Sequence, residues 1–260
     1  MTRAGIHPGA WVDPCAELGA GVTIGPGAVI GPYVRIGAGT KVDSHALVTG
    51  WTRIGRDCHL HHGAAVGGPP QDLKYSGDAP SYLEVGDRTV IREFATLNLA
   101  TEPGATTRVG SDCLLMAYSH VAHNCHLGDR VILANAVQLA GYVTVDDWAI
   151  VGGGTVVHQF VRIGCHSMIG GGSRIPQDVA PYIRLAGSPP RLAGINAIGL
   201  ERRGFSAEAR GALDKAYRVL FRGGRPATDA IATLRADYPG LPEVEHLARF
   251  VETSQRGLSR

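Results

Sequence analysis

An aliphatic residue recurs at every sixth position along most of this chain. From Ile6 the series runs through Val12, Leu18, Ile24, Ile30, Ile36, Val42, Val48, Ile54, Leu60 and Val66 without a slip. It restarts at Val85, Ile91 and Leu97. It then continues from Val109 through Leu115, Val121, Leu127, Leu133, Leu139, Val145, Val151, Val157, Ile163, Ile169 and Ile175. Six is neither the 3.6 of a helix nor the plain period of two of a strand. It suits a prism whose faces are short strands and whose corners turn sharply, with one aliphatic residue per face pointing inward. Three hexads make an 18-residue coil, and stacked coils pair through parallel strands about 4.8 Å apart. An ordinary β-sandwich would have to produce this spacing by coincidence. The period does not disclose the hand of the coil.

The repeat also explains the odd feature of the composition, 36 glycines in 260 residues, about twice the roughly 7% background. They keep no collagen period. Several directly follow the aliphatic residue, as in Ile24-Gly25, Ile36-Gly37 and Ile163-Gly164, where a crowded or left-handed corner calls for a small residue. Gly152-Gly153-Gly154 and Gly170-Gly171-Gly172 precede no helix and read as corners rather than phosphate loops. A hydrophobic content of 44% excludes a disordered chain. A net charge of +2 is too small for wholesale nucleic-acid binding. No apolar run approaches the roughly 18 residues of a membrane span. No signal-like segment follows Met1, so a cytoplasmic protein is expected. Five cysteines, odd in number and without a CxxC pair, read as small core residues rather than disulfides or zinc thiolates.

The hexads break at about 67–84 and 98–108, two excursions that must leave the prism and return, as functional loops often do. They end near Pro181, which divides the chain into a β-prism over 1–184 and an α-helical cap over 185–260. Ser206 is the expected N-cap of a helix carrying Leu213, Tyr217, Leu220 and Phe221, stopped by Gly223-Gly224. Further helices are expected over about 227–237 and after Pro242. The cap has twelve Lys and Arg against eight Asp and Glu, a basic surface suited to an acidic protein partner.

An 18-residue coil converts spacing into geometry. His123, Gly141 and Gln159 form one vertical row, and Asn124, Tyr142 and Phe160 form the next, with His120 and His158 close by. Histidine is the side chain best suited to general-base work at neutral pH. Gly141 above it leaves room for a reacting carbonyl and offers a backbone N–H as an oxyanion donor. That combination fits acyl transfer from a thioester to a hydroxyl. His120, His123 and His126 also read as HxxHxxH, a possible zinc set, but residues three apart on a strand face opposite ways, and no metal is expected.

Gln71-Asp72-Leu73-Lys74-Tyr75, Ser119-His120-Val121-Ala122-His123, Val157-His158-Gln159-Phe160, Gln177-Asp178, Asn196, Arg202-Arg203-Gly204-Phe205-Ser206 and Arg256-Gly257-Leu258 together resemble the acyl carrier protein-dependent UDP-N-acetylglucosamine O-acyltransferases. The resemblance runs end to end. It implies a mainly β fold, a left-handed parallel β-helix with a C-terminal helical cap, assembled as a homotrimer with sites between subunits. It implies transfer of an (R)-3-hydroxyacyl group from acyl carrier protein to the 3-hydroxyl of UDP-N-acetylglucosamine, the opening step of lipid A synthesis. No cofactor is implied beyond the phosphopantetheine carried by the donor. His123 would be the base and Gly141 N–H the oxyanion donor. Gln71, Asp72, Lys74, His120, His158 and Gln159 would bind substrate. Asn196, Arg202 and Arg203 would contact uracil, ribose or diphosphate, and Gly171 would leave the acyl groove open for a longer chain.

Four positions depart from that family's pattern. Asn124 stands where Asp is usual, Tyr142 replaces a His, Ile198 replaces a common Glu, and Leu99-Ala100-Thr101 replaces Arg-Gly-Thr. An amide cannot stabilise imidazolium as a carboxylate does, so His123 is expected to be a weaker base, and Asn124→Asp to raise turnover. Two alternatives follow: a transferase for another UDP-sugar such as an amino sugar, or a non-catalytic scaffold with the same repeat.

Overall fold

The computed structural model describes residues 5–260, and its strands follow the hexads. Most are two residues long, the first side chain outward and the second, the hexad aliphatic, buried. They stack into parallel sheets of nine, eight and ten strands, each strand pairing with the one three further along the chain until the last strands of the third sheet. Among the described residues one antiparallel pair occurs, closing that sheet. One interior column shows the consequence. Val12, Ile30, Val48, Val66, Leu97, Val121, Leu139, Val157 and Ile175 lie in direct register through successive coils. Each such buried aliphatic side chain stabilises the fold by about 1.5–3 kcal/mol. This is the left-handed parallel β-helix with a helical cap.

Glycine serves close approach more than corner geometry. A Cβ on Gly37 would come within 2.5 Å of the Gly55 carbonyl carbon on the next coil. The left-handed corners are not reserved for glycine, contrary to expectation. Asn124 (φ 59°), Tyr142 (φ 61°) and Phe160 (φ 64°) occupy them in one row, held by the hydrogen bonds of the coils on either side. Cys58, Cys113 and Cys125 are buried, and burial pushes the Cys125 thiol up to about 12.

The excursions are tighter than the breaks in the repeat. Strands Ala65–Gly68, Tyr82–Val85, Thr96–Asn98 and Thr106–Val109 carry sheet pairing into them, leaving 69–81 and 99–105 as the true departures. Across the first, the register steps by 31 residues (Val66 to Leu97). Across the second it steps by 24 (Leu97 to Val121). The second excursion therefore adds one whole hexad, and the six-residue frame resumes in step after it.

The prism also runs past 184. Strand Ile183–Ala186 folds back antiparallel onto Arg191–Ile195. Helices α1 (Ala197–Arg202), α2 (Ala207–Phe221), α3 (Ala227–Asp237) and α4 (Pro242–Glu252) follow. Ser206 caps α2 by accepting from Ala209 N–H at 3.0 Å. The six-residue α1 has no apolar period that could announce it. Buried Asp178 ties cap to prism: its carboxylate accepts from Arg162 N–H and Ser254 Oγ, each at 2.8 Å. None of the described helices is long and apolar enough to cross a membrane.

Candidate active site

His123 follows strand His120–Val121 and sits where the coil turns a corner. Its ring lies against Gly141 of the next coil. A Cβ on Gly141 would be 2.5 Å from His123 Cε1 and 2.6 Å from Nε2, so only glycine leaves the imidazole where it is. The stacking read from the 18-residue spacing holds: Tyr142 N–H donates to His123 O at 3.1 Å, and Phe160 N–H to Gly141 O at 3.2 Å. Gly141 N–H donates to no backbone acceptor among the described residues. The Tyr142 ring stands edge-on to His123 at 5.4 Å and stacks on Phe160 at 4.8 Å.

Asn124 fixes the orientation of His123. Its backbone N–H donates to Thr107 Oγ1 at 2.8 Å. Its side-chain Oδ1 accepts from Thr101 N–H at 3.0 Å, and its Nδ2 donates to Glu102 Oε2 at 2.7 Å. A backbone N–H can only donate and a carboxylate can only accept, so the amide has one permitted orientation. Oδ1 therefore faces His123 Nδ1, 3.0 Å away, and Nδ1 carries the proton. Nε2 is the ring nitrogen outside this network, beside Gly141.

Glu102 was not legible as a site residue. It also accepts a short hydrogen bond from the Tyr142 hydroxyl. That hydroxyl, with help from the Asn124 amide and His123, holds the Glu102 carboxyl below its usual range against the opposing effect of burial. The same contact pushes the Tyr142 phenol up to about 12, so the pair is carboxylate and phenol at neutral pH. The available signal was that Glu102 is the only acid of the second excursion.

His120 belongs to the same corner, its Nδ1 2.7 Å from Thr96 Oγ1. Burial and then the neighbouring His123 lower its proton affinity. His126 turns away to Thr106 O at 3.2 Å, and the three histidines do not converge. Among the described residues only Asp43, His59 and His61 bring metal-ligand atoms within 4.8 Å of one another. The two rings there stack at 3.8 Å, on a different part of the prism. In the first excursion Asp72 Oδ1 accepts from Lys74 N–H at 2.9 Å. The charge of Asp72 reaches Tyr142, which brings this excursion to the His123 corner. Gln71 and Lys74 are exposed, as are His158 and Gln159 on the following coil.

Asn196, Arg202 and Arg203 gather elsewhere on the chain. Asn196 is buried and donates to His166 O at 2.9 Å. The Arg203 guanidinium lies 4.9 Å from the Trp148 ring centroid and 3.2 Å from His166 Nδ1. Trp148, His166 and Tyr182 form the stacked row one corner beyond Tyr142 and Phe160. Arg202 and Ile198 are exposed, and Gly171 leaves an exposed corner bare. Leu99 is buried against Gly50. The departure from Arg at this position therefore places an inward-facing core residue at the edge of the excursion.

The family model described as UDP N-acetylglucosamine O-acyltransferase, domain 2, matches residues 178–259. That for the bacterial transferase hexapeptide (six repeats) matches 3–38 and 106–141. The acyl-[acyl-carrier-protein]–UDP-N-acetylglucosamine O-acyltransferase of Alkalilimnicola ehrlichii is 52% identical, with all of both chains covered. That of Herminiimonas arsenicoxydans is 48% identical over 98% of this chain and 99% of its own. Among solved structures, LpxA of Acinetobacter baumannii superposes with a TM-score of 0.95 at 42% identity, over 98% of this chain and 99% of the other. The UDP-N-acetylglucosamine acyltransferase LpxA of Bacteroides fragilis gives 0.95 at 39%, with the same coverage.

Proposed function

The chain belongs to the acyl-[acyl-carrier-protein]–UDP-N-acetylglucosamine O-acyltransferase family, and we infer from that membership that it is an enzyme of this activity. It moves an (R)-3-hydroxyacyl group from the carrier's phosphopantetheine thioester to the 3-hydroxyl of the glucosamine. The observation that carries the mechanism is the Thr101–Asn124–Glu102 network that engages His123 Nδ1 and leaves Nε2 outside it, beside Gly141.

In this mechanism His123 Nε2 takes the proton of the 3-hydroxyl as its oxygen attacks the thioester carbonyl. Gly141 N–H donates to the oxyanion of the tetrahedral intermediate. Collapse breaks the C–S bond, and the imidazolium returns its proton to the departing pantetheine sulfur. Asp72 and Lys74 hold the sugar nucleotide, with Gln71, His120, His158 and Gln159 around it. Asn196, Arg202 and Arg203 serve the nucleotide from a neighbouring copy, in a homotrimer that acts in the cytoplasm. Their place at the Trp148–His166 row, one corner around from the row of Tyr142 and Phe160, supports such sharing. Gly171 leaves the corner beyond the reaction centre open to the acyl chain, so a larger side chain there selects shorter donors. Arg191, Arg202, Lys215 and Arg225, in no ion pair among the described residues, give the cap a positive face for the acidic carrier protein.

The test offers the purified protein a panel of 3-hydroxyacyl carrier proteins and UDP-hexosamines, with products identified by mass. O-acylated UDP-N-acetylglucosamine from the native protein and none from His123→Ala is the expected result. Transfer only to an amino sugar, or full turnover by His123→Ala, overturns the assignment of sugar or base respectively.

A further inference from the structure

We propose that Glu102, carried by the second excursion, is a positioning residue that supplies through Asn124 the negative charge for the His123 base. The inference rests on the reading of His123 as the base. A base that becomes imidazolium during turnover is stabilised by a fixed anion on the far side of its Nδ1–H. The group touching Nδ1 here is the Asn124 amide, which is neutral. The nearest anion in line is Glu102, bonded to the other end of that same amide. An amide held between an imidazole N–H and a carboxylate is polarised by the carboxylate, and its oxygen becomes a better acceptor.

Three further observations make this a built arrangement. The Tyr142 hydroxyl, from the coil above, takes the second carboxylate oxygen, so Glu102 is held at two points. Thr101 N–H, one residue before Glu102, binds the same Asn124 Oδ1 that faces His123. The excursion itself is braced, Gly104 N–H donating to Pro80 O at 2.9 Å and Ala105 N–H to Glu102 O at 3.0 Å. The titratable groups facing this corner are His120 from the same coil, Tyr142 from the next, Glu102 from the second excursion and Asp72 from the first. Asn124 and Tyr142 are thus not independent losses of function. They are the two donors that a relocated carboxylate requires.

The arrangement reverses the expectation for Asn124→Asp. An acid at 124 would press a second carboxylate against Glu102 Oε2, where 2.7 Å now separates donor from acceptor, and like charges so close do not both ionise. Asn124→Asp alone should therefore slow the enzyme. Adding Glu102→Gln should restore it, because the glutamine amide can donate to the new Asp.

The experiment is a double-mutant cycle of Glu102→Gln and Asn124→Asp, with kcat, KM and the pH dependence of kcat/KM measured for each. Glu102→Gln keeps the size of the side chain and one acceptor oxygen for Asn124 Nδ2, removes the charge, and turns an NH2 toward the Tyr142 hydroxyl, which can rotate to accept it. We expect kcat to fall about five- to tenfold with KM for UDP-N-acetylglucosamine changed less than about twofold. The acid limb of the profile should move to lower pH, since imidazolium loses its counter-charge. The double variant should be faster than either single one. NMR titration of His123 in the substrate-free proteins reads the same effect without turnover: its protonation should move to lower pH in Glu102→Gln. An unmoved titration or additive single effects overturn the proposal. An inactive native protein, or an active His123→Ala, instead overturns the functional reading.

Discussion

The His123 imidazole rests against the Cα of Gly141, with no room between them for a methyl group. Contact and proposed chemistry coincide there, because the glycine N–H assigned to the oxyanion has no backbone acceptor among the described residues. Gly141→Ala places a carbon within 2.6 Å of His123 Nε2, so the ring must move while the prism, whose backbone at 141 is ordinary, does not. A displacement of this size near reacting atoms costs about a hundredfold in rate. Steady-state kinetics alongside a thermal melt separates the outcomes: kcat should collapse with Tm nearly unchanged. Retained turnover would remove the glycine from the site.

How much of this was readable beforehand follows from where the hydrogen bonds lie. Within an unbroken run of coils the strands bond at a fixed distance of 18 residues, so the aliphatic period alone located His123 beneath Gly141 and Asn124 beneath Tyr142. The Ser206 cap and the apolar spacing of α2 are likewise local, and both were legible. Nothing periodic governs the excursions. The partnership of Glu102 with Asn124 depends on a loop that returns across a coil, and no spacing rule reaches it. The inward placement of Leu99 was hidden for the same reason: at an excursion's edge the alternation of inward and outward residues slips, as the shifted register between Val66 and Gly68 opposite it shows. The carboxylate thought missing at 124 was present all along, one side chain further out.

Asp178 joins the two parts of the molecule. Its carboxylate takes Arg162 N–H and Ser254 Oγ, its backbone N–H donates to Gly257 O, and its carbonyl accepts from Ser259 N–H. Asp178→Ala leaves the part-buried Arg162 N–H without its partner and loosens the C-terminal tail, which keeps only its backbone bonds to residue 178. A loss of about 2–3 kcal/mol is expected, the usual cost of removing a charged partner from a buried donor. Urea unfolding measures it. Increased proteolysis confined to the last turn after α4 would locate it, and an unchanged midpoint would refute the tie.

Leu73 stands at the tip of the first excursion fully exposed, next to Asp72 and Lys74. A leucine held wholly in water beside Asp72 and Lys74, the groups proposed to bind the sugar nucleotide, is explained if a second copy covers it. Leu73→Asp should then shift the proposed trimer toward smaller species in sedimentation velocity and raise KM for the sugar nucleotide, while the fold of the single chain, in which Leu73 is fully exposed, keeps its circular dichroism. An undisturbed trimer with an unchanged KM would leave Leu73 without that role.

His166 sets a pH dependence of stability that involves no catalysis. Burial first, and then the Arg203 guanidinium beside it, push its imidazole down to about 4 from an ordinary 6.5. The unfolded chain therefore takes up a proton near 6.5 that the folded chain refuses until about 4. The stability this group contributes is whole above that upper value, declines as the pH falls through the interval, and is flat below it. The ring is only half-buried, so solvent screening limits the loss to about 1–2 kcal/mol. His166→Asn removes the titration while keeping a polar group before Arg203. Acidic side chains add their own slope on going to pH 4.5, but they do so equally in both proteins. Urea midpoints at pH 7.5 and 4.5 should therefore separate less in His166→Asn than in the native protein, and equal separations would show that the His166 ring is protonated as freely in the folded chain as outside it.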